Sequence, residues 1–73
     1  MESATFSRMD IFEFLISRDF IYCANSWFSE KGIDGRITSL ETSNWFQMYF
    51  PTHHAYPLFK QLQSEKTQHL DLI

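Results

Sequence analysis

Three histidines, one cysteine and nine scattered carboxylates are the groups with which this chain could do chemistry. His53 and His54 are adjacent, and imidazole binds zinc or exchanges protons near neutral pH. A third ligand would have to be His69, Cys23 or a carboxylate brought in by folding, because no HxxxH or CxxC spacing preorganises one. The pair therefore reads as part of a polar connector, and neither a metal nor another cofactor is expected. Cys23 lies among Ile21, Tyr22 and Ala24, the setting of a small buried hydrophobe rather than an activated thiol. Asp10 and Glu13 stand three apart and share a helix face, as general acid–base work would require, but acidic groups in a first turn also complement the helix dipole. Residues 32–35, GIDG, lack the glycine spacing and basic residue of a phosphate loop, and Asp34 alone does not make a calcium loop. With no preorganised catalytic set, a non-enzymatic protein is the expectation.

The formal charge of −3 comes from nine acidic against six basic residues, and Arg8, Arg18, Lys31, Arg36, Lys60 and Lys66 form no cluster. Nucleic-acid binding thus lacks its usual electrostatic footprint. A single cysteine makes no internal disulfide, which favours a reducing compartment. The early stretch IFEFLISRDFIYCA is interrupted by Glu13, Arg18 and Asp19, so neither a membrane span nor a secretion signal is expected, and the location inferred is cytoplasmic.

The chain's excess is aromatic: eight Phe, three Tyr and two Trp in 73 residues. A domain this short buries only roughly 60% of the surface its unfolded chain exposes, so either the core is unusually aromatic or a partner covers part of the excess. The run from Thr42 to Phe59 has no formally charged residue, and Pro51 and Pro57 prevent it from being one continuous helix. Trp45, Tyr49, Phe50, Tyr56 and Phe59 are the candidate protein interface, because they flank this break and combine rigid apolar area with polar edges. Trp27 and Trp45 are most simply core residues, with Trp45 the one that also belongs to the candidate interface.

These groups need elements to hold them. Ser7 stands three residues before Asp10 and caps a first helix over 8–17, whose apolar side is Ile11, Phe12, Phe14, Leu15 and Ile16. From Asp19 to Lys31 two periods compete. Phe20, Ala24, Trp27 and Phe28 predict a helix capped by Asp19 and stopped at Gly32, whereas FIY (20–22) and RIT (36–38) predict the strands of a hairpin turned at GIDG. Thr38 and Glu41 have capping-box spacing and open a third helix that runs to Phe50. Residues 51–56 read as a connection, and Pro57 as the first turn of a last helix carrying Leu58, Phe59, Leu62, His69 and Leu70. No internal repeat is apparent.

The expectation is one small, mainly α domain over 1–73, with mobile residues at 1–6 and 71–73. Its architecture is a bundle of three or four short helices, with a two-stranded hairpin around residues 20–38 as the α+β variant. The expected role is a non-catalytic regulatory or inhibitory module that binds another protein, itself as a homodimer, or both. A dimeric helix-turn-helix regulator is the alternative, with Ser39, Thr42, Ser43, Asn44 and Gln47 as its base-contacting residues.

Overall fold

Short polar side chains at the ends of two short strands start the main helices. The structure, a computed structural model, describes residues 4–66. The order is β1 (Thr5–Ser7), α1 (Arg8–Ser17), α2 (Ile21–Glu30), β2 (Arg36–Thr38), α3 (Ser39–Tyr49) and α4 (Thr52–Lys66). This is a small, mainly helical bundle of four short helices with a two-stranded antiparallel ribbon. Ser7 Oγ accepts from the Asp10 amide at 3.4 Å, and Thr38 Oγ1 from the Glu41 amide at 3.1 Å. Each cap satisfies one of the N–H groups that a helix leaves without an internal partner. The reciprocal half of the second box is replaced, because the Glu41 carboxylate points instead to Lys31 at 3.8 Å.

Between Asp19 and Lys31 the helical period prevails over strand preference. Ala24 and Trp27 are fully buried on one side of α2, and Phe20 packs beside them. RIT is a strand as its pattern suggests, but its partner is TFS at Thr5–Ser7 rather than FIY: Phe6 pairs with Ile37, and both side chains are buried. The frayed start expected over residues 1–6 is therefore a paired strand at Thr5 and Phe6. The expectations for 71–73, His69 and Leu70 lie outside the described residues.

Asp19 does not cap α2. It takes a left-handed conformation (φ 66°), which short polar side chains tolerate, and its amide donates to Ile16 O as α1 ends. Gly32 stops α2 as expected: with φ 79°, its amide reaches Trp27 O at 3.1 Å. The connection predicted over 51–56 is instead helix from Thr52. The Pro51 carbonyl accepts from the amides of His54 and Ala55, so Pro51 starts α4, and Pro57 falls inside it. Proline there removes one amide donor, so the carbonyl of His53, four residues back, has no N–H at its usual helical partner position.

An internal repeat invisible in the residue letters runs through the order of the elements. Corresponding elements start at residues 5 and 36, 8 and 39, and 21 and 52, each pair 31 positions apart. The ribbon register obeys the same interval: Phe6 faces Ile37, and exchanging the two halves turns the pair Thr5–Thr38 into the pair Arg36–Ser7. The flanking hydrogen bonds follow, since Arg8 N–H donates to Gly35 O and Ser39 N–H to Ala4 O, both at 3.0 Å. Burial repeats too. Phe6, Ile11, Phe14, Leu15 and Ala24 are matched, 31 positions on, by buried Ile37, Thr42, Trp45, Phe46 and Ala55, whereas fully buried Trp27 and Leu62 have only half-buried counterparts in Leu58 and Lys31. The described residues form two strand–helix–helix units joined through their strands, and the ribbon register with the 31-residue interval relates them by an approximate two-fold at the Phe6–Ile37 pair.

Candidate functional site

Five aromatic residues singled out by the sequence divide into core and surface. Trp45 is buried, stacked on Tyr49 at 4.2 Å and set edge-on to Trp27 at 5.0 Å. Phe50 is half-buried against Phe20 and Phe46, and Phe59 is half-buried with its ring edge-on to Phe6 and Phe46. Tyr56 is the member of the set that stands open, at 67% exposure.

Trp45 and Tyr49 have a polar task. Glu30, the last residue of α2, receives Trp45 Nε1 at 3.0 Å on one carboxylate oxygen and the Tyr49 hydroxyl on the other. A negative charge at a helix C-terminus is unfavourable by itself, so donors from α3 compensate for its position. The two hydrogen bonds, Tyr49 first and Trp45 second, hold the Glu30 carboxyl below its ordinary range. The same contact pushes the Tyr49 hydroxyl above its ordinary value. The arrangement is a clasp between α2 and α3.

The residues proposed for base contact also divide. Thr42 is fully buried and its hydroxyl donates to Thr38 O at 2.9 Å, while Ser39 Oγ is shut away from solvent. Ser43, Asn44 and Gln47 lie on the outer face of α3, where Gln47 Nε2 donates to Ser43 Oγ at 3.3 Å. That face has no lysine or arginine to meet phosphates. Residues 31–38, including β2, separate α2 from α3, unlike the three- or four-residue turn of a helix-turn-helix.

Leu40 and Met48 complete the outer face of α3, at 70% and 79% exposure. Neither is among the candidate interface residues expected from the sequence, although their spacing with Asn44 (i, i+4, i+8) places them on one stripe. Beside this stripe a cleft of about 180 Å³ opens between α3 and α4, lined by Ser43, Gln47, Thr52, Ala55, Tyr56 and Phe59. None of the lining residues is formally charged. On the other flank of α4, Phe20, Pro57 and Leu58 floor a wider and shallower groove of about 500 Å³, with His54, Lys60 and Gln61 at its edge.

The groups with chemical potential stay apart. His53 and His54 are exposed, with rings 4.2 Å apart, and among the described residues no three metal-binding side chains come together. Cys23 is half-buried, and burial raises its thiol pKa, which disfavours the thiolate. Among the described residues no helix is long and apolar enough to cross a membrane. Comparison with models of protein families, with curated proteins and with solved structures finds no match.

Proposed function

We propose that this protein is a non-catalytic binding module of the cytoplasm that regulates or inhibits another protein by covering part of its surface. The observation that carries this reading is the outer face of α3 with the neighbouring Tyr56: Leu40, Met48 and Tyr56 are each at least two-thirds exposed around an uncharged cleft. Large apolar groups gathered on one face, with hydroxyl and amide groups between them, are what a protein interface uses. The aromatic residues beneath, Trp45, Tyr49, Phe50 and Phe59, support the reading by stiffening the face, which lowers the entropy lost on binding.

The test is photo-crosslinking in native cytosol with the crosslinker at Met48 and, as a control on the other unit, at Glu13. Crosslinks to a discrete partner from position 48, lost on the combined Leu40→Ser, Met48→Ser and Tyr56→Ser substitution, are expected. If that variant folds and keeps its partner at unchanged affinity, or if salt-sensitive retention on DNA replaces protein capture, the reading is wrong. Sedimentation at micromolar concentration tells whether the face also joins two copies.

A further inference from the structure

The internal two-fold shows what the α3–α4 cleft lacks. Subtracting the 31-residue interval gives Ser43, Gln47, Thr52, Tyr56 and Phe59 the counterparts Phe12, Ile16, Ile21, Asn25 and Phe28, and buried Ala55 the counterpart buried Ala24. In the first unit the site is occupied: the Phe12 ring packs against Phe28 with centroids 6.0 Å apart. In the second unit Phe59 is retained, but Ser43 carries a hydroxyl where Phe12 carries its phenyl ring, and both Ser43 and Phe59 line the cleft of about 180 Å³. A cavity of roughly 150 Å³ suffices to hold benzene in a protein interior.

We infer that the α3–α4 cleft is a receptor for one uncharged aromatic side chain presented by a partner protein, seated on Phe59 as Phe12 is seated on Phe28. The assignment rests on the proposed interaction role and names the group that the partner supplies. Charge selects in the same direction, because the lining has no ionised group to compensate a charged occupant. The Thr52 hydroxyl and the Gln47 amide border the cleft, where they can hydrogen-bond the peptide backbone carrying the ring. Gln47 already donates to Ser43 and so has its amide oxygen left to accept.

The probe is N-acetyl-phenylalaninamide, with N-acetyl-alaninamide as control, titrated into the isotopically labelled full chain and followed by amide NMR. A ligand of this size is expected to bind with a Kd on the order of millimolar. Saturable shifts should centre on Ser43, Gln47, Thr52 and Ala55 and be absent with the alanine compound. Ser43→Phe installs the missing ring and should weaken the response at least tenfold, whereas Ser43→Ala leaves the cleft open and should change it less than threefold. Ser43→Leu serves as the filling variant should Ser43→Phe not fold. No saturable shift, or an equal response in a folded filling variant, overturns the inference. Partner crosslinking that survives in the filling variant also overturns it while leaving the broader interaction role standing. Self-association abolished by the filling variant overturns the assignment to another protein, because the ring then comes from a second copy.

Discussion

Phe6 and Ile37 face each other across the ribbon and are also equivalent residues of the two units, so the approximate symmetry axis of the molecule passes between them. Each is buried, and Phe6 is in edge-on contact with Phe59, so the pair ties both strands to α4. Three-residue strands contribute few ladder bonds. What keeps them paired is the apolar area of their central side chains.

Phe6→Ala should therefore cost about 3–5 kcal/mol and Ile37→Ala about 2–5 kcal/mol. Domains in general are stable by only about 5–15 kcal/mol, so the first variant should lose a large share of the total. Urea denaturation measures both. A loss below about 1 kcal/mol for either would mean that the ribbon is peripheral to the fold.

The two caps should be unequal. Thr38→Ala is expected to cost about 1 kcal/mol, the usual value for losing an N-cap hydroxyl. Ser7→Ala should cost less, because its hydrogen bond to the Asp10 amide, at 3.4 Å, is longer than the 3.1 Å bond made by Thr38. In thermal melts a loss of 1 kcal/mol lowers Tm by roughly 4–8 °C for a domain of this size. Equal shifts, or a larger one for Ser7→Ala, would refute the ranking.

These caps were the most legible features of the chain, because they act within one turn and need no knowledge of the fold. The helical stripe of Phe20, Ala24 and Trp27 was legible too. The pairing of TFS with RIT was not, since three residues carry almost no period and the choice of partner strand is a tertiary matter. The repeat escaped detection because, over residues 5–66, only Ala24 with Ala55 and Phe28 with Phe59 are identical at the 31-residue interval. Substitutions such as Phe6 for Ile37, Ser7 for Thr38, Asp10 for Glu41 and Phe14 for Trp45 preserve role rather than letter. At the candidate site, aromatic type pointed to residues that the fold largely uses inside, while the outward groups Leu40 and Met48 were recognisable only by helical phase.

The Glu30 clasp should give stability an acid limb. Its carboxyl is held below the ordinary range in the folded protein by Tyr49 and then Trp45, so the unfolded chain binds the proton more readily. The stabilisation is therefore complete above the unfolded pKa, roughly 4.3, and is lost as pH falls through the lower folded value. Tyr49 has the opposite limb: with its folded pKa raised, its contribution is present below the unfolded value and is lost in strong alkali as pH rises through the folded one. Comparing urea midpoints of the natural protein and Glu30→Gln from pH 7 to pH 2.5 checks the acid limb. The gap between them should shrink steadily below pH 5, and a gap independent of pH would exclude the clasp as its source.

Thr42 and Ile11 give the sharpest test of the two-fold, because the symmetry sets a polar residue and an apolar one in equivalent buried positions. The Thr42 hydroxyl is satisfied by the carbonyl four residues back, that of Thr38. If the sites are equivalent, a threonine at position 11 has the carbonyl of Ser7 at the same spacing, and a helical threonine readily makes that bond. Ile11→Thr should then lose mainly buried hydrocarbon, about 2 kcal/mol, instead of that loss plus the roughly 1–3 kcal/mol of a stranded hydroxyl. In the other direction, Thr42→Val exchanges a modest hydrogen bond for a buried methyl group, and stability should change by no more than about 1 kcal/mol. Urea midpoints of the two variants decide the matter. A cost above about 4 kcal/mol for Ile11→Thr, with Thr42→Val near neutral, would show that the first unit lacks the acceptor geometry of the second and that the equivalence stops at the backbone.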